Sequence, residues 1–361
     1  MKRIIVTVSN DLVTDQRVDK VCMTLFNAGF DVLLIGRKLP KYKLISRIYK
    51  TERISLFFNK GFLFYAEFNI RLFFVLLFLK KDLLLSNDLD TLLPNYLISK
   101  LQRKKIVYDS HELFSEIPEL VERPFVNKCW TFLEKWILPN LKNSYTVCQS
   151  IADYYNEKYQ TNFKTILNLP TKKSVLKGKL PFKTDSKKII LYQGAINIGR
   201  GLELMIDTML FLPNHLLVII GNGDIYEDLQ KQVVGNNKVE NIFFLGKMLP
   251  SELHQLTPLA DLGISIEEDL GLNYRFALPN KIFDYIQAEV PILVSDLPEM
   301  RNVVLKHKVG EIVSDRNPEM LAKQILNLVG KDFSSALKIA KQELIWEHQE
   351  EKLIDIFTNC K

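Results

Sequence analysis

The stretch Glu267-Glu268-Asp269-Leu270-Gly271-Leu272-Asn273-Tyr274-Arg275-Phe276-Ala277-Leu278-Pro279-Asn280-Lys281-Ile282-Phe283-Asp284-Tyr285 holds the densest set of groups that could act on a ligand. An apolar run at 262–266 delivers it as an irregular polar loop, and a helix then starts near Asn280, with Pro279 or Asn280 suited to the first turn. Lys281 lies in that turn, where the helix dipole gives a lysine no stabilisation. A neighbouring anion explains it better than helix stability does. Asp284 follows one turn later, so both side chains can look the same way. A carboxylate there suits ribose hydroxyls, and a lysine suits phosphate oxygens. The alternative is a local Lys281–Asp284 helix pair.

Three further stretches carry the same theme. Tyr192-Gln193-Gly194-Ala195-Ile196-Asn197-Ile198-Gly199-Arg200-Gly201-Leu202-Glu203 places Gly194, Gly199 and Gly201 between a strand and a helix. Glycines let the backbone turn tightly and approach a ligand, free N–H groups at the helix start suit phosphate, and Arg200 at its mouth can hold phosphate with two donors. The pattern is neither GxGxxG nor a P-loop, and an ordinary strand–helix turn with a surface arginine fits it too. Gly221-Asn222-Gly223 ends the next strand, either for close approach to a ligand or as a plain tight turn. Gly246-Lys247 repeats the arrangement one strand on, with Lys247 facing phosphate, nucleotide or only solvent.

In the first half, Val107-Tyr108-Asp109-Ser110-His111-Glu112 sets His111 after an apolar strand. It is suited to bond a sugar hydroxyl or to stabilise charge as a leaving group departs, and equally to be a structural partner of Asp109. Asp88-Leu89-Asp90 has a carboxylate spacing that could hold a divalent ion, but it opens a helix, where capping is the preferred reading. The other histidines, His215, His254, His307 and His348, are scattered and form no metal cluster. Near the start, Thr14 or Asp15 can cap a helix, and Arg17 is placed either to meet an acceptor's phosphate or to be solvated. No G-x-S-x-G elbow and no Cys/His nucleophile pair points to hydrolysis.

These groups need elements to position them. Short apolar strands are expected at Ile4–Val8, Val32–Ile35, Leu83–Leu85, Lys105–Tyr108, Tyr145–Cys148 and Thr165–Leu167, with helices between, including one over Val18–Ala28. A polar, basic break with two prolines runs from Leu169 to Ser186. The alternation restarts with strands at Lys188–Tyr192, Leu216–Ile220, Ile242–Leu245, Leu262–Ile266, Ile292–Val294 and Glu311–Val313. Helices fit at Leu202–Leu212, Ser251–Leu259, Asn280–Ala288, Pro298–Lys306 and Pro318–Leu328. A last apolar helix over about 333–357 is long enough to cross back onto the first domain. The expected fold is α/β: two Rossmann-like parallel-sheet domains, 1–170 and 171–344, facing a central cleft, with the C-terminal helix (about 345–361) packing on the first.

Composition bounds the function. The chain has 361 residues, 47% apolar and 25% charged, which excludes a disordered or fibrous chain and suits two domains. Its four cysteines, Cys22, Cys129, Cys148 and Cys360, have no zinc or redox spacing and read as reduced and intracellular. The start lacks the long apolar region of a secretory signal. The net charge of +6 concentrates in the first half, above all between Arg37 and Lys60, where eight basic residues face only Glu52. An aromatic, apolar run from Gly61 to Leu79 follows, interrupted by Glu67 and Arg71 and so unlike a transmembrane span. Together they suit an anionic membrane surface, or a buried helix beside a solvated basic loop. Nucleic-acid signatures are absent from the sequence.

The assembled pattern resembles the two-Rossmann-domain (GT-B) glycosyltransferases, and more narrowly the retaining family 4 group, over almost the whole chain. Tyr274 to Pro298 carries it most strongly, through Pro279-Asn280-Lys281-Ile282-Phe283-Asp284-Tyr285, Pro291 and Ser295-Asp296-Leu297-Pro298. The resemblance implies that Asp284, shorter than the family's usual glutamate, binds donor ribose. The residues just before it, with Asn273, Tyr274 and Asn280 among them, would contact the nucleotide diphosphate. A second family glutamate falls on Phe276, with Glu267 or Glu268 as the nearest substitute. Arg200 matches a diphosphate-gripping lysine. Ala195 replaces its arginine partner, for which Lys247 or Lys281 would compensate. His111 matches a histidine that contacts the transferred sugar.

The implied enzyme retains anomeric configuration without a metal or tightly bound cofactor and takes a UDP- or GDP-sugar. Its acceptor would be a glycan or lipid-linked molecule of cell-surface polysaccharide, such as lipopolysaccharide or capsule, met by a cytoplasmic protein peripheral on the inner face of the membrane. Negative donor oxygens would be met by Arg200 and Lys281, and the departing phosphate would take the acceptor's proton. The rivals are a nucleotide-sugar epimerase, a sugar-phosphate phosphorylase, and a non-catalytic nucleotide-sugar-binding scaffold.

Overall fold

The computed structural model describes residues 1–360 other than 14, 40–44, 117–122, 173 and 236–239. The chain divides into two compact units, Met1–Asn168 with Trp346–Lys361, and Leu169–Ile345.

The first unit is a seven-stranded sheet in the order β3-β2-β1-β4-β5-β6-β7. Its strands are β1 (Arg3–Thr7), β2 (Asp31–Lys38), β3 (Lys50–Ser55), β4 (Leu83–Asn87), β5 (Lys105–Ser110), β6 (Ser144–Thr146) and β7 (Phe163–Thr165). Every pairing is parallel. The helices are α1 (Gln16–Asn27), α2 (Gly61–Phe78), α3 (Leu89–Leu101), α4 (Pro124–Ile137) and α5 (Gln149–Tyr159). Alternation sorts the strand residues between two cores, as a sheet covered on both faces requires. Ile4 and Val6 join Val18, Val21, Cys22 and Leu25 of α1. Ile5 joins Phe64, Phe68, Leu72 and Leu76 of α2 on the opposite face.

The second unit repeats the plan with six parallel strands in the order β10-β9-β8-β11-β12-β13. They are β8 (Lys188–Gln193), β9 (His215–Ile220), β10 (Ile242–Gly246), β11 (Leu262–Ser265), β12 (Ile292–Val294) and β13 (Gly310–Ile312). Its helices are α6 (Leu202–Thr208), α7 (Tyr226–Gly235), α8 (Pro250–Leu256), α9 (Leu272–Arg275), α10 (Asn280–Gln287), α11 (Pro298–His307), α12 (Pro318–Val329) and α13 (Ser334–Glu343). The core runs through Ile190, Tyr192, Leu217, Ile264, Met205, Leu321 and Ile325. Strand order reverses between β1 and β4 in one sheet and between β8 and β11 in the other, which puts the ligand-receptive crevice of each sheet at those strand ends.

Helix α7 has no counterpart among the expected helices, and three further elements depart from the sequence reading. Strand β3 lies inside the basic stretch expected as a loop or membrane patch; Lys-Thr-Glu-Arg-Ile-Ser shows little apolar character because it is an edge strand with only Ile54 buried. The loop after β11 contains the short helix α9. The expected long helix over 333–357 is two, α13 and α14 (Glu347–Thr358), parted at Leu344, Ile345 and Trp346. Helix α14 completes the first unit's core with Leu353, Ile356 and Phe357. Trp346 donates its indole N–H to Thr24 Oγ1 at 2.9 Å, and Thr24 donates to Glu350 at 2.7 Å.

Candidate functional site

In the second unit the loops after β8 and β11 and the start of α10 bring one carboxylate and two cations together. Strand β11 ends at Ser265, and Glu267, two residues on, has its side chain fully buried. Ser265 Oγ donates to Glu267 Oε2 at 2.8 Å, and Lys281 Nζ donates to Oε1 at 2.8 Å. Arg200 reaches the same oxygen at 3.8 Å. Burial alone would raise Glu267, but Lys281, the Ser265 bond and Arg200 outweigh it and hold the carboxyl below its ordinary value. The group is ionised at neutral pH.

Lys281 is 8% exposed, its ammonium 4.0 Å from the centroid of the Tyr192 ring. The side chain of Arg200 is 25% exposed; its guanidinium lies 5.1 Å over the Tyr274 ring, and Tyr274 donates to Ile198 O at 3.0 Å. The Nε of Arg200 is buried without a hydrogen-bond partner among the described residues. Around Glu267, one negative charge thus faces two positive ones.

Asp284 is one turn beyond Lys281 but belongs to a different bond set: Gln193 Nε2 donates to its Oδ2 at 3.1 Å, and Thr257 donates to Gln193 Oε1 at 2.9 Å. The local Lys281–Asp284 pair weighed from the sequence gives way to these longer-range partners. Asn273 is on α9 and half-buried, Asn280 opens α10 and is exposed, and Lys247 is exposed past β10. The glycines divide by cause. A side chain on Gly221, at φ +154°, would come within 1.8 Å of Gly194 O, and one on Gly201, at φ +73°, within 2.3 Å of Ile266 O. Gly199 is blocked by Leu270 and Gly223 by Ile196 O, so packing of the chain on itself explains these four. Gly194 is different: its side-chain direction opens beside Lys281 Cε, at 3.7 Å.

Two residues were not found by sequence reasoning in these roles. Glu267, considered only as a stand-in for a sugar-binding glutamate, instead fixes both cations. Arg316 was not singled out; it donates to Ile266 O at 3.2 Å, bonds Ser295 Oγ at 3.4 Å and pairs with Glu268 at 3.5 Å, pinning the loop that carries Glu267. Its only local signal was a cation following the last strand.

In the first unit, β5 delivers Asp109 and His111. Arg17 grips Asp109 with two bonds, 3.0 Å from Nε and 2.9 Å from Nη2, and donates to Ile166 O at 3.0 Å. It is buried, which overturns both sequence readings of Arg17 as phosphate-binding or solvated. His111 lies between two carboxylates, 3.2 Å from Asp88 and 3.2 Å from Asp109. Burial disfavours its charge, yet Asp88 and Asp109 prevail and push it up to about 9, so it is an imidazolium at neutral pH. Burial pushes Asp88 up to about 7; Asp109, although buried, is pulled down to about 2 by Arg17 and His111.

Asp88 precedes α3 with φ +57° and ψ 168°, a backbone state otherwise nearly restricted to glycine. Its side chain accepts from His111 N at 2.8 Å rather than capping α3. Asp90 accepts a short bond from Ser9, and burial pushes it up to about 6. Neither aspartate joins a metal-binding group among the described residues. Asp15 caps α1 by accepting from Val18 N at 2.9 Å; Thr14 lies outside the described residues.

Residues 187–331 match the family model "Glycosyl transferases group 1". No curated protein matches the chain. Among solved structures, a sucrose-phosphate synthase from Thermosynechococcus elongatus is 15% identical with TM-score 0.78, covering 99% of this chain and 99% of that one. The Anabaena protein HepE, in complex with UDP-glucose, is 13% identical with TM-score 0.74, covering 99% and 100%. A mutant of S. aureus TarM, in complex with Fondaparinux, alpha-GlcNAc-glycerol and UDP, is 11% identical with TM-score 0.74, covering 99% of this chain and 100% of that one. The chain therefore has the two-sheet α/β fold of GT-B proteins.

Proposed function

We propose, from the premise that residues 187–331 form a glycosyltransferase group 1 domain, that this enzyme transfers a sugar from a nucleotide diphosphate donor with retention of configuration. The observation that carries the reading is the charge surplus at the second sheet's edge, where buried Glu267 holds Lys281 and Arg200 ready for an anion. Diphosphate oxygens bind against the two cations, and Asp284, oriented by Gln193, accepts the ribose hydroxyls. As the sugar–phosphate bond breaks, charge grows on the departing oxygen, and prepositioned cations stabilise it without reorganisation. That oxygen takes the acceptor's proton, so no side-chain base is assigned. Asn273, Tyr274, Asn280, Gly194 and Lys247 complete the nucleotide contacts. The first unit holds the acceptor, a glycan or lipid-linked sugar of a surface polysaccharide, with His111 assigned to the transferred sugar. A UDP-sugar is the first donor to test, because HepE is solved with UDP-glucose.

The test is turnover of UDP-, GDP- and ADP-sugars by the intact chain, beside Arg200→Ala. Arg200 is partly exposed, so the variant is expected to fold normally. Its kcat/KM for the donor is expected to fall about 100-fold, a typical loss for one charge-stabilising donor. Normal turnover by that variant overturns the site.

A further inference from the structure

We propose that the outward face of α2, α3 and α4 is a docking surface for an anionic lipid bilayer. The proposal rests on, and deepens, the reading of a lipid-linked acceptor. Helix α2 buries Phe64, Phe68, Leu72 and Leu76 in the sheet core. Two residues out of phase, about 200° around the helix, Phe62, Ile70, Phe74 and Phe78 face solvent, with Phe78 82% exposed. A surface helix of a water-soluble domain carries polar residues on that side. The charges within α2, Glu67 and Arg71, pair with each other at 2.8 Å. The helix is long and apolar enough to cross a membrane by composition, but its buried stripe is committed to the sheet. It is built to lie on a bilayer rather than to span one.

Helix α4 carries the same device. Phe125, Cys129, Phe132 and Trp136 recur at helical spacing on its exposed side, Phe125 being 76% exposed, while Trp130, Glu134 and Ile137 are buried. The Tyr65 and Trp130 rings meet edge-on at 5.3 Å, joining α2 to α4. Both helices also contact α3, whose Leu97 and Leu101 are exposed. All residues of these helices are described. Their exposed charges are basic: Lys100, Lys128 and Lys135. Their acids are withdrawn, Asp90 and Glu134 into the interior and Glu67 onto Arg71.

An aromatic and basic face without exposed acid is complementary to anionic headgroups. A second copy would set the same lysines against themselves. The basic stretch before α2 is less available than its composition implies. Arg47 pairs with Asp19 at 3.1 Å, Arg37 stacks on Phe64 at 4.6 Å and Arg53 donates to Asp11 O. Lys41 and Lys43 lie outside the described residues.

Cys129 is exposed within the face while the other three cysteines are buried, so the unaltered chain can be labelled there with an environment-sensitive fluorophore. Mixed with phosphatidylglycerol/phosphatidylcholine vesicles, the chain is expected to co-sediment, the fluorescence to shift blue, and spin-labelled lipid to quench it. Pure phosphatidylcholine should give a much weaker response. Phe125→Ser with Phe132→Ser, and separately Phe74→Ser with Phe78→Ser, should each weaken partitioning about tenfold or more, given what burying a phenylalanine is worth. Donor turnover with a water-soluble acceptor should be unaffected. Sedimentation with the Cys129 probe still in water overturns the proposal by locating binding elsewhere. A blue shift that follows protein concentration without vesicles overturns it in favour of self-association. If the unaltered chain turns over donor but does not bind the anionic vesicles, the docking face falls and the transferase reading stands; if it binds the vesicles but turns over no donor, the transferase reading alone falls.

Discussion

Each unit places a buried ion network at the C-terminal edge of a parallel sheet, and the two differ in charge balance. After β11, the single carboxylate of Glu267 is matched by Lys281 and Arg200. After β5, Asp109 and Asp88 are matched by Arg17 and His111, with Asp90 close by as an additional acid. The first arrangement has positive charge to spare for phosphate. The second is neutral to acidic, repels phosphate, and offers carboxylates to hydroxyl groups. On the proposed function, similar topology serves different ligands because the surplus charge differs in sign.

The largest expected effect tests whether Glu267 depends on Lys281. Lys281→Ala removes the shorter of the two ion pairs of buried Glu267, leaving only Arg200 at 3.8 Å and the Ser265 bond, and should cost up to about 3–5 kcal/mol in a denaturant titration. Adding Glu267→Gln should restore much of that stability but none of the donor turnover. A double-mutant cycle with additive costs would falsify the coupling.

A smaller effect tests the other network. The folded His111 value of about 9 exceeds its ordinary 6.5, so its contribution is complete below pH 6.5 and is lost as pH rises through 9. Asp88, at about 7 against an ordinary 3.8, favours the fold most below 3.8 and loses that contribution as pH rises through 7. Both act in the same direction, and Tm should fall from pH 6.5 to 9 by the equivalent of about 1–3 kcal/mol. His111→Gln should flatten that slope. An NMR titration placing His111 near its ordinary value would show that the two aspartates do not hold it.

The smallest effect sharpens the donor side. Gln193→Ala removes the bond that orients Asp284 and should raise the donor KM about tenfold with kcat nearly unchanged, the size of one hydrogen bond. A change in kcat alone would mean that Asp284 acts on the reacting atoms rather than on the ribose.

The strand–helix alternation was legible because apolar runs and helical spacing are local. Strand β3 was not, since an edge strand with one buried side chain carries little apolar signal. Of the proposed donor site, Arg200, Lys281 and Asp284 were legible as polar groups at strand and helix ends. Their partners were not. Glu267 and Lys281 are 14 residues apart, Gln193 and Asp284 91 apart, and Arg17 and Asp109 92 apart. No periodicity records which distant charges meet after the sheets form. Arg17 was misread for that reason: a lone arginine past a strand looks solvated until Asp109 is folded against it.

The docking of Trp346 and α14 onto the first unit has a consequence for biogenesis. During synthesis the ribosome delivers all of the second unit's strands before the indole that bonds Thr24 emerges. The second sheet can therefore close while the first still exposes the apolar strip awaiting Leu353, Ile356 and Phe357. The earlier half of the polypeptide is then the later to mature, and it is the part that a chaperone would need to shield.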